Sequence, residues 1–308
     1  MSLGRRAALR ALGAAAVALG GCGERRGITT AEGAGGEPLS LNVHALGGRF
    51  LALQREALAI VRPPWIRVTL GLVTGVDSAR AYAGAAPALL GLVADHRLGR
   101  IEAAAWPDLV EATLRRHPAV RRAELLNEPE HFNGLSPGRY VTEYLRPGFE
   151  RVRERFPGVQ VVAAAPVGDR KAGPDRFRRM TDAGADDFCD YRAAHVYFDD
   201  DRALGAIRSA TGRPILVTET GTNVPGDQAR WYADVVPKIR ASLGAEQVFW
   251  YVLLESAALA GGRVAYSYPG SSLIAAEPDA AGRAQAAPGS GLYPLLASAF
   301  AARPRGRR

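Results

Sequence analysis

Only two of the 308 residues are cysteine, Cys22 and Cys189, and only two of the 39 basic residues are lysine, Lys171 and Lys238. Cys22 belongs to an N-terminal leader, which leaves Cys189 alone, so no intrachain disulfide is expected. No Cys/His spacing reads as a zinc site. The two lysines fall in a loop and a helix, where neither serves as a Schiff-base amine, and no strand end gathers His or Asp ligands. Metal-dependent and Schiff-base chemistry are therefore disfavoured, and neither a metal nor a cofactor is expected. Aromatic residues make up 7% of the chain, too few for a long polysaccharide cleft lined with stacked rings. The chain also lacks a run of about 20 apolar residues of the kind that spans a bilayer. Its net charge of +8 comes from arginines scattered along the chain. A nucleic-acid surface would show a clustered basic stripe, so that class of partner is excluded.

Arg5, Arg6 and Arg10 precede a short Ala/Gly-rich apolar stretch, Ala11 to Gly21. A basic segment followed by a short apolar one is the layout of an export signal, and the adjacent Arg5-Arg6 suggests the twin-arginine route. Leu19-Gly20-Gly21-Cys22 resembles a bacterial lipobox, in which the cysteine is lipidated and becomes the new N-terminus. The chain thus divides into a signal peptide (1–21), a Gly/Glu-rich tether (22–38) behind lipidated Cys22, a folded domain (39–303) and a basic tail (304–308). The expected location is the bacterial cell envelope, on the outer membrane or cell surface, through the lipid anchor. If the leader is an ordinary signal peptide with an incidental cysteine, the protein is secreted.

From residue 39 onward, short apolar runs alternate with amphipathic helical spacing, the signal for βα units and a parallel sheet. The expected strands are Leu39–Leu46, Trp65–Leu72, Gly99–Ala105, Ala123–Glu128, Val159–Val167, Tyr191–Phe198, Pro214–Thr220 and Gln247–Leu254. In the third, Ile101-Glu102-Ala103-Ala104-Ala105 could equally begin a helix. Tyr140–Phe156, Gln228–Leu243 and Leu292–Ala301 read as helices, with Ser136-Pro137 as a helix start. Cys189, just before an apolar strand, reads as a buried small hydrophobe. Eight units in one domain predict a single (β/α)8 TIM barrel. The alternative is an open doubly wound sheet, but the Gly71-Leu72-Val73-Thr74-Gly75 loop has neither dinucleotide nor P-loop spacing. A monomer is expected.

Barrel chemistry sits at the C-terminal ends of strands. Strand four ends in Glu124-Leu125-Leu126-Asn127-Glu128-Pro129 and strand seven in Thr218-Glu219-Thr220. Both apolar runs therefore finish on a carboxylate that a core would not hold. The two tips oppose each other across the mouth, and paired carboxylates are what glycoside hydrolysis requires. Strand six ends in His195-Val196-Tyr197, where the i, i+2 period puts both rings on one face. Arg67, between Ile66 and Val68, would be costly inside the barrel without an acidic partner. Glu124 shares a strand face with Glu128 and reads as a buried ion-pair member, with Arg67 for instance.

Asn127-Glu128-Pro129 together with Thr218-Glu219, Arg67, the His195/Tyr197 pair and Trp250 resembles the clan-A retaining glycoside hydrolases over the whole barrel. That resemblance implies Glu128 as acid/base and Glu219 as nucleophile. It also implies that Arg67 stands beside the nucleophile and that Tyr197 contacts it. His195 and Asn127 would bind sugar hydroxyls, and Trp250 would form the floor under the sugar. His44 after strand one, Trp106 after strand three and His131-Phe132 are further candidates for substrate contact. The function implied is hydrolysis of a β-linked glycan or oligosaccharide by double displacement. The alternative is a carbohydrate-binding barrel lipoprotein without turnover.

Overall fold

A computed structural model of the chain describes residues 38–44, 48–70, 78–93, 102–254 and 270–301, all within one compact unit. The paired arginines, Cys22, nearly all of the tether, the Gly71–Gly75 loop and the basic tail lie outside the described residues.

Eight parallel strands run in sequence order and close on themselves. They are β1 (Ser40–Val43), β2 (Trp65–Thr69), β3 (Ala88–Val93), β4 (Val120–Leu125), β5 (Gln160–Ala163), β6 (Tyr191–Val196), β7 (Ile215–Thr220) and β8 (Gln247–Trp250). Leu41 pairs with Ile66 of β2 on one side and with Trp250 of β8 on the other, which completes the ring. Parallel neighbours need a crossover, and helices such as Gly48–Val61, Trp106–Arg116, Gly173–Asp182 and Asp201–Ser209 supply it. This is a (β/α)8 barrel, and the open sheet is excluded.

Strands one, two and four to eight fall where the sequence places them, each shorter than expected except strand four, which keeps its length but starts and ends three residues earlier. Strand three does not. The strand is Ala88–Val93, whereas Ala103–Ala105 of the expected Gly99–Ala105 segment form a 3-10 turn that runs into the helix Trp106–Arg116. Residues 99–101 of that segment lie outside the described residues. Ala88-Leu89-Leu90-Gly91-Leu92-Val93 carries one β-branched residue and therefore little intrinsic strand preference. Pairing with β2 and β4 overrides that. Ala-rich sequence, conversely, favours helix. The helix beginning at Pro137 starts where the sequence signals it, with Ser136 Oγ accepting from the Arg139 N–H.

Side chains alternate along each strand, and the barrel wall separates two apolar layers. Leu41, Ile66, Val68, Leu125, Val217 and Trp250 face outward into the large core shared with the helices. Leu90, Val162, Ala193, Leu216 and Phe249 fill the lumen. Each Val, Leu, Ile or Phe side chain among them taken out of water contributes about 1.5–3 kcal/mol. At the N-terminal end, the Arg122 guanidinium floors the lumen, 4.2 Å from the Trp65 ring and 4.1 Å from the Tyr191 ring. Cys189 is buried, and burial pushes its thiol up to about 12, as befits an inert core residue.

Trp106 belongs to the outer core and not to the mouth. It opens a helix, is 0% exposed, and its indole N–H donates to the Tyr144 carbonyl at 2.8 Å. The facing helix comes so close that a Cβ on Gly148 would lie 2.8 Å from Leu125 and 3.0 Å from the indole nitrogen. Its expected role as a substrate contact after strand three fails because that strand lies elsewhere in the sequence.

Candidate active site

The C-terminal end of the lumen is organised around one arginine. Ile66 and Val68 point outward, so Arg67 between them projects inward, and it is only 4% exposed. A guanidinium offers five N–H donors and no acceptor. Arg67 Nε donates to Glu124 Oε2 at 2.6 Å and Nη2 to Asn127 Oδ1 at 2.9 Å. Nη1 serves Asn42 Oδ1 at 2.9 Å and Glu219 Oε1 at 2.8 Å. Asn42 in turn donates to the carbonyls of Thr218 and Trp250, tying β1 to β7 and β8.

Strand β7 carries a bulge just where the nucleophile candidate sits. Ala194 pairs with Val217 but His195 pairs with Glu219, leaving Thr218 as an extra residue. Bulges re-aim side chains, and here the consecutive residues Thr218 and Glu219 both reach inward. Thr218 Oγ1 donates to Glu124 Oε1 at 3.4 Å, and Glu219 Oε2 accepts from the Tyr197 hydroxyl at 2.7 Å. Two residues on, Gly221 has φ 148, and a Cβ there would meet the Tyr251 carbonyl at 3.0 Å and the Trp250 ring at 3.3 Å.

Strand β4 ends at Leu125, so Glu128 stands on a turn and not on the strand itself. Leu126 and Glu128 both adopt left-handed backbone, with φ of 72 and 41. Such conformations cost about 1–3 kcal/mol each and concentrate at functional sites. The turn drops Asn127 onto Arg67 and swings Glu128 over the mouth, where its N–H donates to the Ala165 carbonyl at 3.1 Å. His195 Nδ1 lies 2.8 Å from Glu128 Oε1, and its Nε2 lies 3.5 Å from Glu219 Oε1. One oxygen from each glutamate and a ring nitrogen of His195 all stand within 4.8 Å of one another. Oxygens this close favour direct attack by a carboxylate, for which carboxyl groups stand about 5–5.5 Å apart, over the roughly 6.5–9.5 Å that accommodates a water. The Arg67 guanidinium on Glu219 opposes a cation at the same place.

The charges are arranged to keep Glu219 ionised. Burial pushes its pKa up, but the charges of His195 and Arg67 and the hydrogen bonds from Tyr197 and Arg67 outweigh that, and the net shift is downward. Burial works against the charge on Arg67 as well, yet Glu124 and Glu219 hold it firmly protonated. Burial would also lower His195, but the charge of Glu219 and the hydrogen bond and charge of Glu128 raise it overall. Burial of the Tyr197 hydroxyl and the neighbouring Glu219 charge lift its pKa well above the ordinary value, so it remains a donor.

The structure thus brings Glu128, Glu219, Arg67, Asn127, His195 and Tyr197 together. Trp250 is not with them: it is 0% exposed and faces the outer core, while Phe249 faces the lumen. Alternation then turns the next residue, Tyr251, toward the mouth, where it meets the His44 ring edge-on at 5.6 Å. Tyr251, and not Trp250, is therefore the aromatic ring at this strand end. His44 stands beside it, and exposed His131 packs against Phe132 on the short helix after Glu128. Asn42 is a further member of the site, signalled only by a polar residue between Leu41 and Val43.

No model of a known protein family matches the chain, and no curated protein does. Solved structures of similar fold include the mannohexaose complex of a β-mannanase from Thermomonospora fusca. It has a TM-score of 0.54 and 12% identity, covering 77% of this chain and 82% of that one. A β-mannanase from Streptomyces thermolilacinus with mannohexaose gives 0.52 and 14%, covering 77% and 81%. An exo-β-1,3-glucanase from Aureobasidium namibiae gives 0.52 and 13%, covering 81% and 94%. Identities this low establish the shared barrel. That barrel, with paired glutamates at the ends of strands four and seven, matches the clan-A arrangement.

Tyr197→Phe tests the electrostatic reading. Loss of a donor makes the Glu219 carboxylate less stable and raises its pKa, so the acid limb of the kcat/KM profile should move to higher pH. A hydrogen bond to a charged group is worth about 1.5–3 kcal/mol, so the limb should move up by about one pH unit or more. An acid limb that stays in place would contradict the contact.

Proposed function

We propose that this protein is a retaining glycoside hydrolase acting on a β-linked glycan or oligosaccharide, with Glu219 as nucleophile and Glu128 as acid/base. The carrying observation is the pair of carboxylates within 4.8 Å, one of them clasped by Arg67, His195 and Tyr197. In the first step a Glu219 oxygen attacks the anomeric carbon. The glycosidic C–O bond breaks, and Glu128 gives its proton to the departing oxygen. In the second step Glu128 takes a proton from water as the water oxygen attacks the same carbon, and Glu219 leaves as carboxylate. Asn127 stands beside Glu128 where a sugar hydroxyl would come, His195 holds Glu128 from within the site, and Tyr251 offers the ring under the sugar. The similar solved structures are named for enzymes of β-mannan and β-1,3-glucan, which supports a β-linked glycan without selecting the sugar.

The same reading extends to location: Cys22 carries a lipid, and with Gly23 after it in place of an acidic residue, the destination in a two-membrane bacterium is the outer membrane. Among the described residues no helix is long and apolar enough to cross a membrane.

An activated 2-deoxy-2-fluoro glycoside should add one glycosyl mass to wild type and to Glu128→Ala, but not to Glu219→Ala. Glu128→Ala should lose most activity on substrates with poor leaving groups, because a good leaving group needs little protonation. A label on any other carboxylate would overturn the assignment of Glu219, and wild type that binds sugar without turnover would favour the binding-barrel alternative. For the anchor, Cys22→Ser should shift the protein out of the membrane fraction. A variant as membrane-bound and as slowly processed as wild type would refute the lipid reading.

A further inference from the structure

Glu124 is the one carboxylate of the network that never meets the cleft. It lies within β4, its side chain is 0% exposed, and its contacts are Arg67 Nε at 2.6 Å and Thr218 Oγ1 at 3.4 Å. Two carboxylates thus share a single guanidinium, Glu124 on its Nε edge and Glu219 on Nη1. Replacing buried ions by apolar groups is often neutral or stabilising, so stability alone is a weak account of a second acid placed here.

We infer that Glu124 is a positioning residue that sets the strength of the nucleophile through Arg67, an inference that rests on the reading of Glu219 given above. It acts in two ways. Holding the Nε–H fixes the plane of the guanidinium, so that Nη1 and Nη2 splay toward Glu219 and Asn127 at 2.8 and 2.9 Å. Its negative charge also offsets part of the Arg67 charge, so that Glu219 is stabilised enough to stay ionised but not so much that it attacks poorly. The other titratable groups facing the pair are His195 and Tyr197 beside Glu219, Glu128 across His195, Tyr251 near Tyr197, and Tyr140, whose hydroxyl feels the Glu124 charge from the helix side. None of them offsets Arg67 on its Nε edge.

The two chemical steps respond to this charge in opposite directions. In the first, Glu219 loses negative charge as it bonds to the anomeric carbon. In the second, it regains that charge as the ester C–O bond breaks. Removing the Glu124 charge should therefore slow glycosylation and speed deglycosylation, a pattern that general loosening of the fold does not produce.

The test uses the full-length protein, wild type and Glu124→Gln, with 2-deoxy-2-fluoro glycosyl fluorides of the gluco and manno series, whichever labels wild type. The Gln carbonyl still accepts from Arg67 Nε, so shape is kept while charge is lost. The expected result is labelling slowed severalfold, reactivation of the labelled enzyme faster than wild type, and an acid limb of kcat/KM lower by about one pH unit, a tenfold change in the ionisation equilibrium. Equal slowing of both steps, or wild-type rates with an unmoved acid limb, would overturn the inference. If Glu124→Gln does not fold, Glu124→Asp keeps the charge and should keep the wild-type acid limb while labelling more slowly; a downward shift in Asp would overturn it. Failure of wild type to label at all would instead remove the nucleophile reading, and the role of Glu124 with it.

Discussion

A guanidinium inside a closed barrel is stable only if each of its donors meets an acceptor and its charge meets a carboxylate, because an unpaired buried ion costs several kcal/mol. Arg67 imposes that condition on four segments at once: β1 through Asn42, β4 through Glu124, the turn after β4 through Asn127, and β7 through Glu219. Two irregular features of the backbone serve it. The bulge in β7 lets Thr218 and Glu219 both face inward, and the left-handed residues Leu126 and Glu128 bring Asn127 and Glu128 over the mouth. Apolar layers below supply the rigidity. With Leu90, Val162, Leu216 and Phe249 filling the lumen, the polar layer has no room to rearrange.

The same network separates the duties of two chemically identical side chains. Glu219 lies amid donors, with Arg67, Tyr197 and His195 all directed at its oxygens. Glu128 meets only His195 among these and stands on the turn, away from the guanidinium. Under the proposed mechanism, placing one glutamate in a cationic nest and the other outside it lets one barrel run nucleophilic and acid/base chemistry a few ångströms apart. His195 touches both, with Nδ1 2.8 Å from Glu128 and a buried Nε2 3.5 Å from Glu219, too far for a strong hydrogen bond.

Much of this was legible in the residues. The barrel could be read from alternation alone, and an arginine between Ile66 and Val68 called for the acids it meets. The i, i+2 rule placed His195 and Tyr197 on one face, and the same rule applied to Phe249, Trp250 and Tyr251 would have selected Tyr251. The family resemblance points to Trp250 as the platform, but parity along β8 sends it outward. Strand three escapes a sequence reading because Ala88–Val93 has a single β-branched residue, Val93, and is held by its neighbours, and the expected place of Trp106 falls with it. Neither the bulge at Thr218 nor the left-handed turn at Leu126 has a sequence signal, since neither position is glycine; pairing and the demands of Arg67 create both.

The central claim is that Glu219 itself attacks the sugar, with no water between the two carboxylates. Proton NMR of the first product formed from a β-glycoside substrate decides it, because each displacement inverts the anomeric carbon. Double displacement predicts that the β-anomer appears first and only later equilibrates. Initial appearance of the α-anomer would mean a single displacement by water and would contradict the account.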